Sequence, residues 1–185
     1  MKKILLVTLC LFFSANMFSQ IRIDKVEEDG SRYIITEHDN IYTKMTTAAS
    51  LYLNYILMNS GDENYYITLC LNEGKMEFDK GRKLLLKFKD NSVMELVNCD
   101  EIGSTDYKYN VTRFGTDYLT YPTYNVTEEE IQKIIDGNVV KIRIENNIEY
   151  FDRDIKRNKF SKALKTAYDA INAQKNVKND IYEGF

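Results

Sequence analysis

Apolar and polar residues alternate along much of the chain, which is the pattern of β-strands with one buried side. The odd-numbered positions of residues 65–72 (YYITLCLN) are apolar, as are the even-numbered positions of residues 83–88 (KLLLKF) and 93–97 (VMELV). Placing all these apolar positions on one face predicts a four-strand antiparallel meander from residue 65 to residue 97. The pairs that define it are Leu71–Met76, Leu69–Phe78, Phe78–Leu84, Met76–Leu86, Leu86–Leu96 and Phe88–Met94, with Lys87 opposite Glu95.

The N-terminal part of the chain continues the strand pattern. Residues 21–36 predict a hairpin that turns at Asp29-Gly30. Residues 48–59 fit either a strand or a helix. We favour a strand, because it would form a hairpin with the next strand through the turn-forming segment SGDEN.

The C-terminal third contains two helix signals and one further hairpin. Thr127 with Glu130 is a capping box, and Gly137 marks a helix end, so a helix is predicted over residues 127–136. Apolar residues recur at helical spacing over residues 157–174, which predicts an amphipathic helix that covers one face of the sheet. Between them, residues 139–151 predict a hairpin that pairs Ile144 with Ile148, Ile142 with Tyr150 and Arg143 with Glu149. The predicted class is α+β with an antiparallel sheet.

The first nineteen residues differ from the rest of the chain. Lys2 and Lys3 form a positive start, and residues 4–13 form an apolar run of signal-peptide size, too short for a permanent membrane span. We expect residues 1–19 to be a cleaved signal peptide and residues 20–185 to form a single domain. The mature protein is then periplasmic or extracellular, and processing leaves no transmembrane segment.

Charge argues against nucleic acid as a partner. The formal net charge of −3 becomes about −5 without Lys2 and Lys3, whereas nucleic-acid binders are basic or carry a basic face. The basic stretch around Gly81 does not change this conclusion, because its lysines from residue 83 to residue 89 alternate with apolar residues. They therefore lie on the solvent side of a strand, and the phosphate-loop spacing is missing.

Candidate catalytic chemistry is sparse. His38 is the single histidine, so no histidine-rich zinc site can form, and the segment TEHDN fits a solvated turn better than a general base. Asp152 and Asp154 could form an acid pair with Glu145 or Glu149 for glycoside hydrolysis. We expect no catalytic residue, no metal site and no cofactor.

Two cysteines, Cys70 and Cys99, would remain in the mature chain, and such a pair in an exported protein invites a disulfide. The predicted meander places them on its first and fourth strands, roughly 14 Å apart. A bridge needs Cα atoms within about 7 Å. We therefore expect no disulfide.

Residues 107–126 (YKYNVTRFGTDYLTYPTYNV) concentrate aromatic rings in a polar context. Tyrosine offers a large contact area with a polar tip and is enriched at interfaces and on sugar-binding platforms, although it also favours strands and packs in cores. Pro122 cannot donate to a ladder, so the second run predicts an edge or irregular strand. The predicted binding residues are Tyr107, Tyr109, Tyr118, Tyr121 and Tyr124.

The stretches FDKGRKLLLKFKDNSVMEL and TEEEIQKIIDGNVVKIRIE resemble segments of small exported bacterial proteins of unknown function, often from gut anaerobes. The resemblance extends over about residues 60–175 and rests on turns, alternating strands and a capped helix. It implies a fold and an exported location, and it brings no catalytic or binding residue with it.

Two classes of function follow from these expectations. The first is a non-enzymatic binding module of the bacterial envelope, in which a sheet surface or edge contacts a partner protein. The second is a small carbohydrate-binding or carbohydrate-acting envelope protein, for which a concave acidic pocket with aromatic rings would be the mark.

Overall fold

The computed structural model describes residues 20–44, 47–99, 104–110 and 115–177, which form an α+β fold of antiparallel strands and two helices, as predicted. The strands are β1 (Ile21–Val26), β2 (Arg32–Thr36), β3 (Asp39–Lys44), β4 (Thr47–Leu57), β5 (Glu63–Asn72), β6 (Lys83–Phe88), β7 (Val93–Val97), β8 (Ser104–Asn110), β9 (Gly115–Tyr121), β10 (Thr123–Val126), β11 (Val139–Glu145) and β12 (Tyr150–Asp154). The helices are α1 (Glu128–Gly137) and α2 (Lys159–Lys175), and a 3-10 turn, Lys156–Asn158, precedes α2.

The larger sheet has the order β1-β2-β4-β5-β9-β8, with β3 added beside β4 and β10 beside β5. The β1–β2 and β4–β5 hairpins are both as predicted, so residues 48–59 are strand. The long strands β4 and β5 pair with each other along one edge. On its other edge each has two shorter partners, β2 and β3 for β4 and β9 and β10 for β5, because the neighbouring chain is interrupted there. Glu37 and His38 separate β2 from β3, and Pro122, which cannot donate a ladder bond, separates β9 from β10. The irregular strand predicted at Pro122 is confirmed.

The smaller sheet has the order β12-β11-β6-β7. Asn98, just after β7, forms a bridge with Tyr124 of β10 and links the two sheets laterally. Neighbouring strands therefore follow one another from β3 through β4, β5, β10, β7, β6 and β11 to β12. The two ends of this series, β3 and β12, border a common cleft, so the strands form an open curl.

One continuous apolar cluster fills the curl. The amphipathic C-terminal helix is confirmed, and α2 contributes the buried side chains of Phe160, Leu164 and Ile171 to this core. The capping box of α1 is also present, because Thr127 accepts from the amide of Glu130 and the Glu130 carboxylate accepts from the amide of Thr127. The helix extends one residue beyond the predicted end, and Asn138 rather than Gly137 adopts the left-handed conformation that closes it.

The four-strand meander over residues 65–97 is wrong. Both edges of β5 are already occupied, by β4 on one side and by β10 and β9 on the other, so residues 76–78 have no edge to pair with. The chain crosses instead to the second sheet, and Phe78 is buried in the core on the way. The β6–β7 hairpin does form, with Leu86 opposite Met94, two positions from the predicted register. An even shift keeps every side chain on its predicted face, so the lysines of β6 are exposed.

The β11–β12 hairpin has a different register from the predicted one. Ile144 lies opposite Phe151 and Arg143 opposite Asp152, a shift of three positions. The Asn146 side chain accepts from the amides of Ile148 and Glu149 and moves the turn toward the C-terminus. Ile148, predicted to be a core partner of Ile144, is 93% exposed at the tip.

Candidate functional site

The outward face of the larger sheet carries exposed portions of several tyrosine rings. On β4 and β5 the odd-numbered residues point inward, where Tyr55 and Tyr65 contact Lys175 of α2. The even-numbered residues therefore point away from the helix. We define the tyrosine face by these outward residues: Tyr33 and Ile35 of β2, Tyr52, Asn54 and Ile56 of β4, Tyr66 and Thr68 of β5, Tyr121 of β9 and Thr123 of β10.

A row of hydrogen bonds between polar side chains crosses the centre of the tyrosine face. The Asn54 amide nitrogen donates to the hydroxyl of Thr68 over 2.8 Å, and the hydroxyls of Thr68 and Thr123 are 3.0 Å apart. Thr68 of β5 lies directly opposite Thr123 of β10 and diagonally from Asn54 of β4, whose direct partner on β5 is Tyr66. The row holds the side chains in fixed positions between the rings, so the face combines apolar rings with oriented amide and hydroxyl groups.

Among the described side chains, two nitrogen-bearing groups, those of Lys25 and His38, contact tyrosine rings at the margin of the tyrosine face. The Lys25 ammonium is 5.4 Å from the centre of the Tyr33 ring, a cation–π contact. At the opposite margin, the ring of His38 is 4.7 Å from the ring of Tyr52. None of the residues that define the face is charged, so its middle is an uncharged, partly apolar surface.

Both ring nitrogens of His38 contact other side chains of the protein. Its Nε2 is 3.1 Å from a guanidinium nitrogen of Arg22, which can only donate, so Nε2 is the acceptor and Nδ1 carries the proton. Nδ1 is then placed to donate to the Ser50 hydroxyl at 3.4 Å. Partial burial, and second the charge of Arg22, lower the pKa of His38, so the imidazole is neutral at pH 7. An arginine on the basic nitrogen leaves it poorly suited to accept a proton from a substrate.

Cys70 lies beside the tyrosine face and is a protonated thiol at neutral pH. Burial raises the pKa of this thiol, and hydrogen bonds with Tyr121 and Ser50 only partly oppose the effect. Cys99 lies on the far side of β10, where its sulfur contacts the carbonyl of Thr123 at 3.2 Å. Two strand spacings, about 10 Å, therefore separate Cys99 from the strand of Cys70. Both side chains are thiols in the structure, although in a strand order different from the one predicted.

The five tyrosines predicted as binding residues do not form one surface. Tyr121 belongs to the tyrosine face, whereas Tyr118 occupies an alternate position of the same strand and is directed to the opposite side. Tyr124 is wrong as a binding residue, because it pairs with inward-facing Ile67 and its ring is 0% exposed in the core. Tyr107 and Tyr109 lie on β8, and their side chains are outside the described part of the structure.

Sequence reasoning missed Tyr33, Tyr52 and Tyr66. The signal was present, because the odd-numbered apolar residues of β5 already implied that Tyr66 and Thr68 face outward. The pattern does not reveal that β2, β4, β5 and β9 lie side by side. A search for rings within one continuous segment therefore found a different group.

The predicted acid pair lacks the geometry for acid catalysis. Asp152 is bound by Arg143 at 2.6 Å and by Lys141 at 2.8 Å, and these contacts hold the pKa of its carboxyl well below the usual range. A carboxylate that stays ionised cannot act as a general acid. In the described ranges, no group of three His, Cys, Asp or Glu side chains is arranged to hold a metal ion. None of the helices described is both long and apolar enough to cross a membrane.

No protein-family model, curated protein or solved structure significantly matches this chain.

Proposed function

We propose that the protein is a non-enzymatic binding module of the bacterial envelope and that it binds a partner protein through the tyrosine face. The observation that carries this proposal is the position of Tyr33, Tyr52, Tyr66 and Tyr121 on one outward side of four neighbouring strands. Each of these rings is half-buried and keeps part of its surface accessible. Export from the cytoplasm, through residues 1–19, is part of the same proposal.

The composition of the tyrosine face favours a protein partner. The centres of protein interfaces are enriched in tyrosine and depleted in charged residues, and the rim is polar and solvent-accessible. The tyrosine face has this distribution, with Lys25 and Arg22 at its margins. Its four strands cover roughly 14 Å in width, which suits a partner surface better than one small molecule.

A glycan is the second candidate ligand. The partly exposed side chains of Asn54 and Thr123 support it, because sugar sites combine ring faces with amide and hydroxyl groups, whereas Thr68 between them is 2% exposed. A carbohydrate-acting protein is expected to have a concave acidic pocket, and the cleft in the described part of the structure is not acidic. This large cleft lies elsewhere, and its lining has more basic than acidic residues, five against two.

The test uses the double variant Tyr33→Ser/Tyr66→Ser. Capture from the native envelope, with mass spectrometry, should recover one stoichiometric protein with the wild type and none with the double variant, while the double variant still unfolds in one cooperative thermal transition. Tyr150→Ser is the matched control, because Tyr150 is 59% exposed on the other sheet, and it should retain capture. Binding on a glycan array that only the double variant loses would support the glycan. Equal capture by all three proteins would refute both.

A further inference from the structure

A cleft of about 790 Å³ opens between β3 and β12, the two ends of the open curl, and we call this junction the seam. One wall is formed by the end of β3 and the start of β4, and the other by β12 and the 3-10 turn before α2. This volume is within the range of pockets that bind small molecules, roughly 300–1,000 Å³. The cleft lies apart from the residues that define the tyrosine face.

A rigid ion pair forms part of the cleft wall. Arg153 of β12 donates two hydrogen bonds to the Glu73 carboxylate, at 2.9 and 2.5 Å, and the Tyr42 hydroxyl donates to the same carboxylate. The Glu73 side chain is only 2% exposed. Burial, and second the bond to Glu73, raise the pKa of Tyr42, so it remains a neutral phenol. Glu73 therefore neutralises Arg153 and fixes the two edges of the seam relative to each other.

Four other cations line the cleft without such a partner. Lys44, Lys156, Arg157 and Lys159 are exposed, and within the described ranges none of their side chains forms an ion pair or a hydrogen bond. Of the two carboxylates that line the cleft, Asp152 is bound by Lys141 and Arg143, as described above. Asp154 alone opposes the four cations. The cleft thus concentrates positive charge in a chain whose formal net charge is −3.

The start of α2 adds to the positive field of the cleft. The first turn of α1 contains Glu128, Glu129 and Glu130, which complement the partial positive charge of a helix N-terminus. The first turn of α2 contains no acidic residue, and its N-cap, Asn158, makes no capping hydrogen bond with its side chain. Lys159 is the first residue of the helix, and Lys156 and Arg157 lie in the turn just before it. Three cations therefore cluster at a helix N-terminus, where anions are normally favoured. Such mutual repulsion is relieved when an anion binds between them.

We propose that the cleft binds a small ligand bearing phosphate groups, with Lys44, Lys156, Arg157 and Lys159 as its counter-charges. Three of the four are lysines, whose ammonium groups bind phosphate as point charges and can approach a tetrahedral oxyanion from different directions. Arg157 adds a planar fork that can donate two parallel hydrogen bonds. The proposal does not depend on the tyrosine face.

The test is calorimetric titration of the full mature chain with inorganic pyrophosphate at about 0.05 M and 0.2 M salt. The wild type should bind one equivalent, and more weakly at the higher salt concentration. The variant Lys156→Gln/Lys159→Gln should weaken binding about 100-fold, roughly tenfold for each ammonium group removed. Both side chains are exposed, so folding should be unaffected, and a circular dichroism melt checks this point. The control Lys87→Gln/Lys89→Gln removes the same charge from the exposed side of β6 and its turn and should change affinity less than twofold.

A second arm identifies the source of the phosphate. Sedimentation with phosphatidylglycerol vesicles is compared with sedimentation with phosphatidylcholine vesicles, for the wild type and both double variants. Pyrophosphate binding that only the cleft variant loses supports a soluble phosphorylated ligand. Sedimentation with phosphatidylglycerol alone, also abolished only in the cleft variant, supports a lipid headgroup. The proposal is overturned if the wild type binds neither probe, or if both double variants lose binding equally.

Discussion

Gly137 is needed for the space it leaves, because it lies at the end of α1 against the ring of Phe88. A Cβ atom at this position would be 2.6 Å from Cδ1 of Phe88 and 2.9 Å from Cε1. Phe88 is itself 2% exposed and ends β6, so the ring cannot move outward without opening the core. One missing methyl group therefore sets how closely α1 approaches the smaller sheet.

The variant Gly137→Ala should be destabilised. At a helical position alanine normally stabilises by up to about 1 kcal/mol, but overpacking against a fixed ring costs about 1–3 kcal/mol. We expect a net loss of about 1–2 kcal/mol in the free energy of unfolding, measured by urea denaturation. In the double variant Phe88→Leu/Gly137→Ala, the loss should be smaller than the sum of the two single losses. An increase in stability for Gly137→Ala would contradict this account.

At the scale of elements, the two helices differ in how their first turns are satisfied. α1 has a complete capping box and three glutamates, whereas α2 begins without a capping side chain. Local signals of this kind involve residues three positions apart and can be read directly from the sequence. The box made α1 predictable, whereas α2 was predictable from apolar residues at helical spacing and the β1–β2 and β4–β5 hairpins from their turn residues.

The capping box gives the prediction at this scale. Thr127→Ala removes the acceptor for the Glu130 amide and should lower the free energy of unfolding by about 1 kcal/mol. Glu129→Ala is the matched control, because Glu129 is exposed in the same turn but outside the box, and it should cost only a few tenths. Urea denaturation of both variants provides the measurement. Equal losses would show that general helix electrostatics, rather than the cap, stabilise this end.

The pairing of distant strands was not predictable in the same way. A period of two shows which side of β5 is buried, but it does not say whether β4, β10 or residues 76–78 lie beside it. The wrong register of the β11–β12 hairpin has a local cause in its turn. Asn146 closes the β11–β12 turn with its side chain and leaves an apolar tip residue in solvent, so hydrophobicity suggested the wrong register. The tyrosine face depends on these distant pairings, and only Tyr121 among its rings was anticipated.

At the scale of the whole molecule, the beginning and the end of the described chain are bound to each other. Asp24 of β1 accepts from the guanidinium of Arg32 at 2.8 and 2.9 Å and from the Gln174 side chain at 2.7 Å. Arg32 also donates to the carbonyl of Gln174, near the C-terminus of α2. This cluster is mostly shielded from water and holds the first hairpin against the last helix.

The Asp24 cluster should make stability depend on acid pH. The hydrogen bond from Arg32 lowers the pKa of Asp24, against an opposing effect of burial, so the folded state releases the proton more easily than the unfolded state. This stability is fully present above the unfolded pKa of about 3.9 and is lost as the pH falls through the folded value. Asp24→Asn should therefore cost about 1–2 kcal/mol at pH 7.

Urea denaturation between pH 7 and pH 2.5 checks this dependence. The difference in unfolding free energy between wild type and Asp24→Asn should be constant down to about pH 5 and shrink below about pH 4. Asp136→Asn, at an exposed position of α1, should cost only a few tenths of a kcal/mol at pH 7. A difference that stays constant throughout the range would contradict the role of the Asp24 charge.

The bond between Asp24 and Gln174 joins residues 150 positions apart, and this separation affects the order of folding. A chain that emerges with its N-terminus first displays β1 long before the last turn of α2 exists, so native closure must wait until synthesis is nearly complete. Because the two ends are neighbours, a short linker could join them and the chain could be reopened at the exposed Ser60-Gly61-Asp62 turn. In that permuted chain the last contact to form would become one of the most local.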